Sequence, residues 1–158
     1  MTNLNFPNGI IRSQDGLIYV VHLIKRKIEV YRLLADGALE HIDSIDTPYP
    51  VDNLSIDSEG DIYAAAFPKA YTIFDVYDGK PVHPPTSVFK ISRKEKSRKG
   101  SLKQKDAKTY TKGYVVEKVL EDNGSLLPAS TKAIHDPKTG SIFLSGIVSR
   151  FIAVCKPR

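Results

Sequence analysis

Apolar and polar residues alternate in short runs along most of the chain. The clearest run is Val51-Asp52-Asn53-Leu54-Ser55-Ile56-Asp57, followed by Ser58-Glu59-Gly60 and then by Asp61-Ile62-Tyr63-Ala64-Ala65-Ala66. A period of two marks a half-buried strand, and the glycine-containing interruption marks a turn. The same succession occurs in Asn8-Gly9-Ile10-Ile11-Arg12-Ser13-Gln14-Asp15-Gly16-Leu17-Ile18-Tyr19-Val20. It occurs again in Lys132-Ala133-Ile134-His135-Asp136-Pro137-Lys138-Thr139-Gly140-Ser141-Ile142-Phe143-Leu144. Gly16 and Gly60 are 44 residues apart, and Gly60 and Gly140 are 80 apart with a basic stretch between them.

The first unit continues with alternating runs at 27–33 and 39–45, separated by Asp36-Gly37, which completes four antiparallel strands. The second unit predicts strands at 51–56 and 62–67, a third strand region at 71–77 ending at Asp78-Gly79 and resumed at 87–91, and a fourth at 114–120. The third unit predicts strands at 131–135, 142–147 and 151–154, and no fourth. No segment carries a convincing helical stripe. Short strands repeated at about 40–50 residues are the pattern of propeller blades. The fold class expected is all-β: a partial β-propeller of about three antiparallel blades, the last lacking its closing strand. It forms one domain, with blades at roughly 6–46, 50–122 and 128–158. The open edges and uncovered faces of such a part-ring make self-association a further expectation.

Charge alters this picture in one place. The net charge is +5, but residues 92–112 hold nine basic residues against two acidic ones, and the rest of the chain holds 14 against 16. The body is therefore near neutral and carries a basic insertion. With almost no apolar positions, 92–112 is expected to be disordered. Tyr110 and Tyr114 are its only nearby aromatics, so a stacking platform for nucleic acid is lacking and a solvated loop is the better reading. No apolar run is long enough for a membrane span, and the first residues lack the basic end and apolar stretch of a signal peptide. The single cysteine, Cys155, excludes an internal disulfide and any paired-cysteine metal motif.

Asp52 and Asn53 carry the candidate chemistry. Two oxygen-bearing side chains at the mouth of an apolar strand suit a hard cation. On this stretch alone the better reading is a strand cap and turn in which they bond the local backbone. Neighbours on a regular strand point to opposite faces, so the two share an ion only where the backbone is irregular.

Six stretches, in this order, resemble the paraoxonase/arylesterase family. They are Phe6-Pro7-Asn8-Gly9-Ile10, Val51-Asp52-Asn53-Leu54-Ser55-Ile56-Asp57, Pro84-Pro85-Thr86-Ser87-Val88-Phe89-Lys90-Ile91, Asp122-Asn123-Gly124-Ser125, Ser130-Thr131 and Cys155. The resemblance covers nearly all of the chain outside the basic insertion and corresponds to the C-terminal half of such an enzyme. It implies a place among the gluconolactonase-like six-bladed propellers, with a catalytic calcium in the central tunnel. Asn8, Asp52 and Asn53 fall on calcium ligands of the family. The remaining ligands, including a glutamate and an asparagine, lie in its N-terminal half, as do the histidines that serve as general base. His22, His41, His83 and His135 match none of those positions and are expected at the surface or in turns. Phe67 stands where animal members carry histidine before the proline, which leaves substrate preference open. Cys155 matches a half-cystine whose partner lies near the family's N-terminus. Relatives of full length are implied to be secreted or endomembrane proteins, in keeping with the glycosylation sequon Asn123-Gly124-Ser125. The function implied is calcium-dependent hydrolysis of an ester or lactone, with a chain of this extent inactive alone. The alternative is a propeller that binds or scaffolds without catalysis.

Overall fold

The computed structural model describes residues 4, 6–94, 108–110 and 112–157. Among the described residues the chain is all-β apart from a short helix, and the strands form three antiparallel sheets. The first sheet contains β1 (Pro7–Arg12), β2 (Leu17–His22), β3 (Lys27–Leu33) and β4 (Leu39–Asp46) in sequence order. The second contains β5 (Val51–Ile56), β6 (Ile62–Ala66), β7 (Thr86–Arg93), β8 (Lys108–Tyr110) and β9 (Tyr114–Asp122), in the order β5-β6-β7-β9-β8. The third contains β10 (Ser130–Asp136), β11 (Ser141–Gly146) and β12 (Ala153–Cys155). The first and third sheets run outward from their first strand through adjacent hairpins, and the second does so as far as β7, then places β9 before β8; this is the winding of propeller blades with one extra edge strand. The third blade has three strands among the described residues.

The repeat seen in the sequence is the innermost hairpin of each blade. Gly16, Gly60 and Gly140 all take positive φ, at 86°, 80° and 68°, where a side chain would be strained. In each hairpin the glycine N–H bonds back to a carbonyl before the turn: Ser13, Asp57 and Asp136.

The second blade is the filling of a sandwich. Ile62, Ala64 and Ala66 of β6 face the first blade, joining Tyr19, Val21, Ile28, Val30 and Ile45 in one core. Tyr63 and Ala65, on the opposite face, join Ala133, Ile142 and Leu144 of the third blade in another. All five β6 residues are buried, and the alanines let both neighbouring sheets approach closely. Between the first two blades, the Tyr19 and Tyr114 hydroxyls lie 3.1 Å apart. The Arg93 guanidinium donates to the Tyr19 hydroxyl at 3.1 Å and pairs with Asp15 at 2.6 Å.

Two sequence expectations are corrected here. Residues 71–77 are not a strand: Thr72–Tyr77 is the helix α1, with no buried residue. Their alternation has no sheet to pack on, because β7 takes the third place in the blade. Gly79, at φ 74°, closes the helix, with Gly79 N–H bonded to the Val76 carbonyl and Lys80 N–H to that of Asp75. Part of 92–112, expected to be disordered, is strand. Ser92 and Arg93 complete β7, and Lys108–Tyr110 pairs with β9. Residues 95–107 and 111 lie outside the described residues.

Thr86 ties the second blade to the third. Its side chain is fully buried; Oγ1 donates to the Leu127 carbonyl at 2.9 Å and accepts from the Ser130 N–H at 2.9 Å. Thr86→Val keeps the shape and leaves both groups unpaired. The expected cost is about 1–3 kcal/mol of unfolding free energy, measured by urea denaturation.

Candidate metal centre

The three innermost strands carry irregularities at equivalent places. In β1, Pro7 pairs with His22 and Ile10 with Val20, so Asn8 and Gly9 together oppose Val21 alone. In β5, Val51 pairs with Ala66 and Leu54 with Ala64, so Asp52 and Asn53 together oppose Ala65. In β10, Ser130 pairs with Gly146 and Lys132 with Ser145, which leaves Thr131 as the extra residue. These are β-bulges, and a bulge re-aims the side chains it carries. The irregular backbone that Asp52 and Asn53 need in order to act together is present.

Sequence explains why two of the bulges meet. A Cβ on Gly9 would lie 2.6 Å from the Asp52 carbonyl oxygen and 2.8 Å from the Asn53 Cα. Only a residue without a side chain lets β1 approach β5 so closely. The approach brings Asn8, exposed on β1, near the Asp52 side chain, where its amide favours the charged carboxylate. Asp52 itself is 8% exposed. Its burial raises the carboxyl pKa above the usual range, and the Asn8 amide opposes that only in part. Asn53, half-buried on the same bulge, turns its amide toward the third blade and donates to the Thr131 carbonyl at 3.0 Å. The structure thus brings Asn8 close to Asp52 and places Asn53 beside them, between the second and third blades.

By strand pairing, the third blade has Thr131 at the place of Asn8 and Asp52 and, at that of Pro7 and Val51, Ser130. Its hydroxyl is spent on the Ser145 and Lys132 carbonyls at 3.0 and 3.2 Å. Ser130 and Thr131 occur in the recognised pattern, but only pairing in three dimensions shows that Thr131 touches the site.

Asp57, Glu59 and Asp61 form an acidic group, with one oxygen of each within 4.8 Å of the others. It lies in the turn at the other end of β5, roughly 16 Å from Asp52 at the ordinary rise of a strand. Its carboxylates have structural work. Asp57 Oδ1 accepts from the Glu59 and Asp61 N–H groups, both at 3.0 Å, and Asp57 Oδ2 lies 2.8 Å from His135 Nδ1. Asp61 pairs with Lys90 at 2.9 Å.

His41 and His83 are exposed, as expected, and two of the four histidines differ from expectation. His22 is 2% exposed within β2, and His135 is held between Asp57 and the Tyr63 ring, on which it stacks at 4.5 Å. Both sit on strands packed against neighbouring elements, which buries His22 and leaves His135 partly buried. Cys155 is a free, partly buried thiol on β12, its pKa raised by burial and by the nearby Asp122 charge. No helix among the described residues is long and apolar enough to cross a membrane.

Fold and site together define a part of a β-propeller with an oxygen-rich group at the inner ends of its blades. The arylesterase family model matches residues 1–135, and the chain belongs to that family. It is 34% identical over 132 residues to human serum paraoxonase/arylesterase 1, covering 82% of this chain and 32% of that protein. It is 33% identical over 135 residues to human serum paraoxonase/arylesterase 2, covering 83% and 33%. Against the chicken serum paraoxonase/arylesterase 2 it is 27% identical over 141 residues, covering 86% and 35%. The chain therefore spans about a third of the length of these curated relatives. Among solved structures it is similar to a Bacteroides uniformis protein provisionally assigned as a 6-phosphogluconolactonase. The TM-score is 0.55 and the identity 15%, over 100% of this chain and 38% of that one, a likeness of fold alone.

Asp52 yields a pH-dependent expectation. Its folded-state pKa is raised, so its contribution to stability is fully present below the ordinary carboxylate range and lost as pH rises through the folded value. Without added cation, Asp52→Asn is expected to be more stable than the parent at pH 7. The gap should close as pH falls toward 4, read from urea midpoints of the two proteins side by side. Gly9→Ala should lose about 1–3 kcal/mol, because the new methyl meets backbone rather than a side chain that can move.

Proposed function

We propose that the chain forms part of a calcium-dependent hydrolase of esters or lactones, with Asn8, Asp52 and Asn53 as ligands of the ion. The observation that carries this reading is the bulge that presents a buried carboxylate and a carboxamide together, with a second carboxamide on the neighbouring strand close to the carboxylate. One anionic and two neutral oxygen donors suit calcium, and a nearby cation relieves the burial of Asp52. Membership of the arylesterase family and the paraoxonase/arylesterase names of its relatives support the choice of substrate class.

The protein's own contribution would be geometric. The β5 bulge fixes Asp52 and Asn53, Gly9 lets Asn8 reach Asp52, and the Thr131 carbonyl holds the Asn53 amide. Calcium held there supplies positive charge to a carbonyl or phosphoryl oxygen and to the oxyanion that forms on attack. Three side chains fill about half of a shell of six to eight oxygens, so we assign the chain a partial site and negligible turnover on its own. The six-bladed ring and the single-domain division into blades near 6–46, 50–122 and 128–158 belong to the same proposal.

Calcium is expected to raise the melting temperature of the purified chain, as any ligand of the folded state does. Asp52→Ala should weaken binding about 100-fold, a loss of about 2.7 kcal/mol, and Asn8→Ala should weaken it less. Aryl ester and lactone hydrolysis by the chain alone should stay near the buffer rate. Absence of any calcium-linked stabilisation would count against the ion and favour a binding propeller without catalysis. Strong calcium-dependent turnover by the chain alone would overturn the partial site.

A further inference from the structure

The side chains of β5 that face β10 make a regular ladder. Asn53 Nδ2 donates to the Thr131 carbonyl at 3.0 Å, and Ser55 Oγ donates to the Ala133 carbonyl at 2.6 Å. Asp57 Oδ2 lies 2.8 Å from His135 Nδ1. Lys132 Nζ crosses the other way, to the Leu54 carbonyl. Each of the four rungs joins residues 78 apart in the chain, so the two strands lie side by side without a shift along their length.

This ladder does what a backbone ladder does within a sheet. β5 pairs with β6 and β10 pairs with β11, each on one side only, and the two strands belong to different sheets. Side chains at alternate positions of a strand share a face, so 53, 55 and 57 all reach β10. The far rung is stiff. Two backbone N–H groups hold the Asp57 carboxylate, and Tyr63 stacks on the His135 ring. The near rung is the amide of Asn53. An amide carries its NH2 and its oxygen in one plane, so a hydrogen bond that fixes the nitrogen fixes the direction of the oxygen too.

We propose that Ser55 and His135 are positioning residues for the site at Asp52 and Asn53. They hold β10 along β5, so that the Thr131 carbonyl sets the Asn53 amide before any ligand arrives. The functional part of this rests on the ion site proposed above; the mechanical part does not. An amide ordered in advance spares a ligand the entropy of ordering it, which is gained as affinity. The same four contacts could instead only pack two blades together. In that case their loss would lower stability everywhere and leave the Asn53 amide no looser than the rest.

Ser55→Ala, Ser55→Thr and His135→Phe in the full chain separate the two. His135→Phe keeps a ring to stack on Tyr63 and removes the bond to Asp57. The first readout is amide hydrogen exchange without calcium. Ser55→Ala is expected to speed exchange at Asn53 and Leu54 about tenfold relative to β2, and Ser55→Thr to restore it. His135→Phe should act in the same direction and less strongly. The second readout is calcium affinity by titration calorimetry, with Ser55→Ala about fivefold weaker and Ser55→Thr within about twofold of the parent. Faster exchange spread evenly over the chain, or unchanged exchange at Asn53 and Leu54, overturns the proposal. So does equal calcium affinity in Ser55→Ala when the parent binds. A parent that binds no calcium sinks the ion reading, and the exchange data then decide the ladder by themselves.

Discussion

The closeness of the inner strands is the constraint on which the rest depends. Inner strands of neighbouring blades make no backbone ladder with each other, so something else must fix their spacing. Between β1 and β5 it is the absence of a side chain at Gly9, whose Cβ would lie 2.6 Å from the neighbouring carbonyl oxygen. Between β5 and β10 it is the row of side-chain bonds from Asn53, Ser55 and Asp57. With the spacing set, the bulges at Asn8-Gly9, Asp52-Asn53 and Thr131 fall at matching positions on the three strands. A strand without a bulge would send Asp52 and Asn53 to opposite faces.

The two ends of β5 use acidic residues in different ways. In the turn after it, Asp57 is surrounded by donors: two N–H groups and the His135 ring. That carboxylate is a structural acceptor, and it secures both the hairpin and the approach of β10. At the start of the strand, Asp52 has burial without equivalent support, and its pKa moves up. A fold that keeps a poorly compensated carboxylate in place bears a stability cost for it, and such costs concentrate at functional sites. Geometric proximity of oxygens alone selects the other end, where Asp57, Glu59 and Asp61 cluster.

Much of the architecture was legible because it rests on period and turn chemistry. Gly16, Gly60 and Gly140 mark the inner hairpins, and the alternating runs beside them form the strands. Residues 71–77 misled because alternation records a face without recording a partner. Their aromatic residues remain exposed, with Tyr71 68% and Phe74 72% accessible. The ends of the basic stretch became strand because backbone pairing with β9 is indifferent to the charge of the side chains. At the candidate site, Asn8, Asp52 and Asn53 were nominated by resemblance, and the need for irregular backbone followed from the geometry of strands. The roles of Ser55, Thr131 and His135 were not. A rung between residues 78 apart leaves no local signature in a sequence.

The central claim is that the inner bulges, and not the acidic turn, form the cation site. Titrating the isotopically labelled chain with calcium while following its backbone amide resonances tests this most directly. The account predicts progressive shifts at Asn8, Gly9, Asp52, Asn53 and Thr131, with the 57–61 turn little affected. Shifts confined to Asp57, Glu59 and Asp61 would contradict it, as would a spectrum that calcium leaves unchanged.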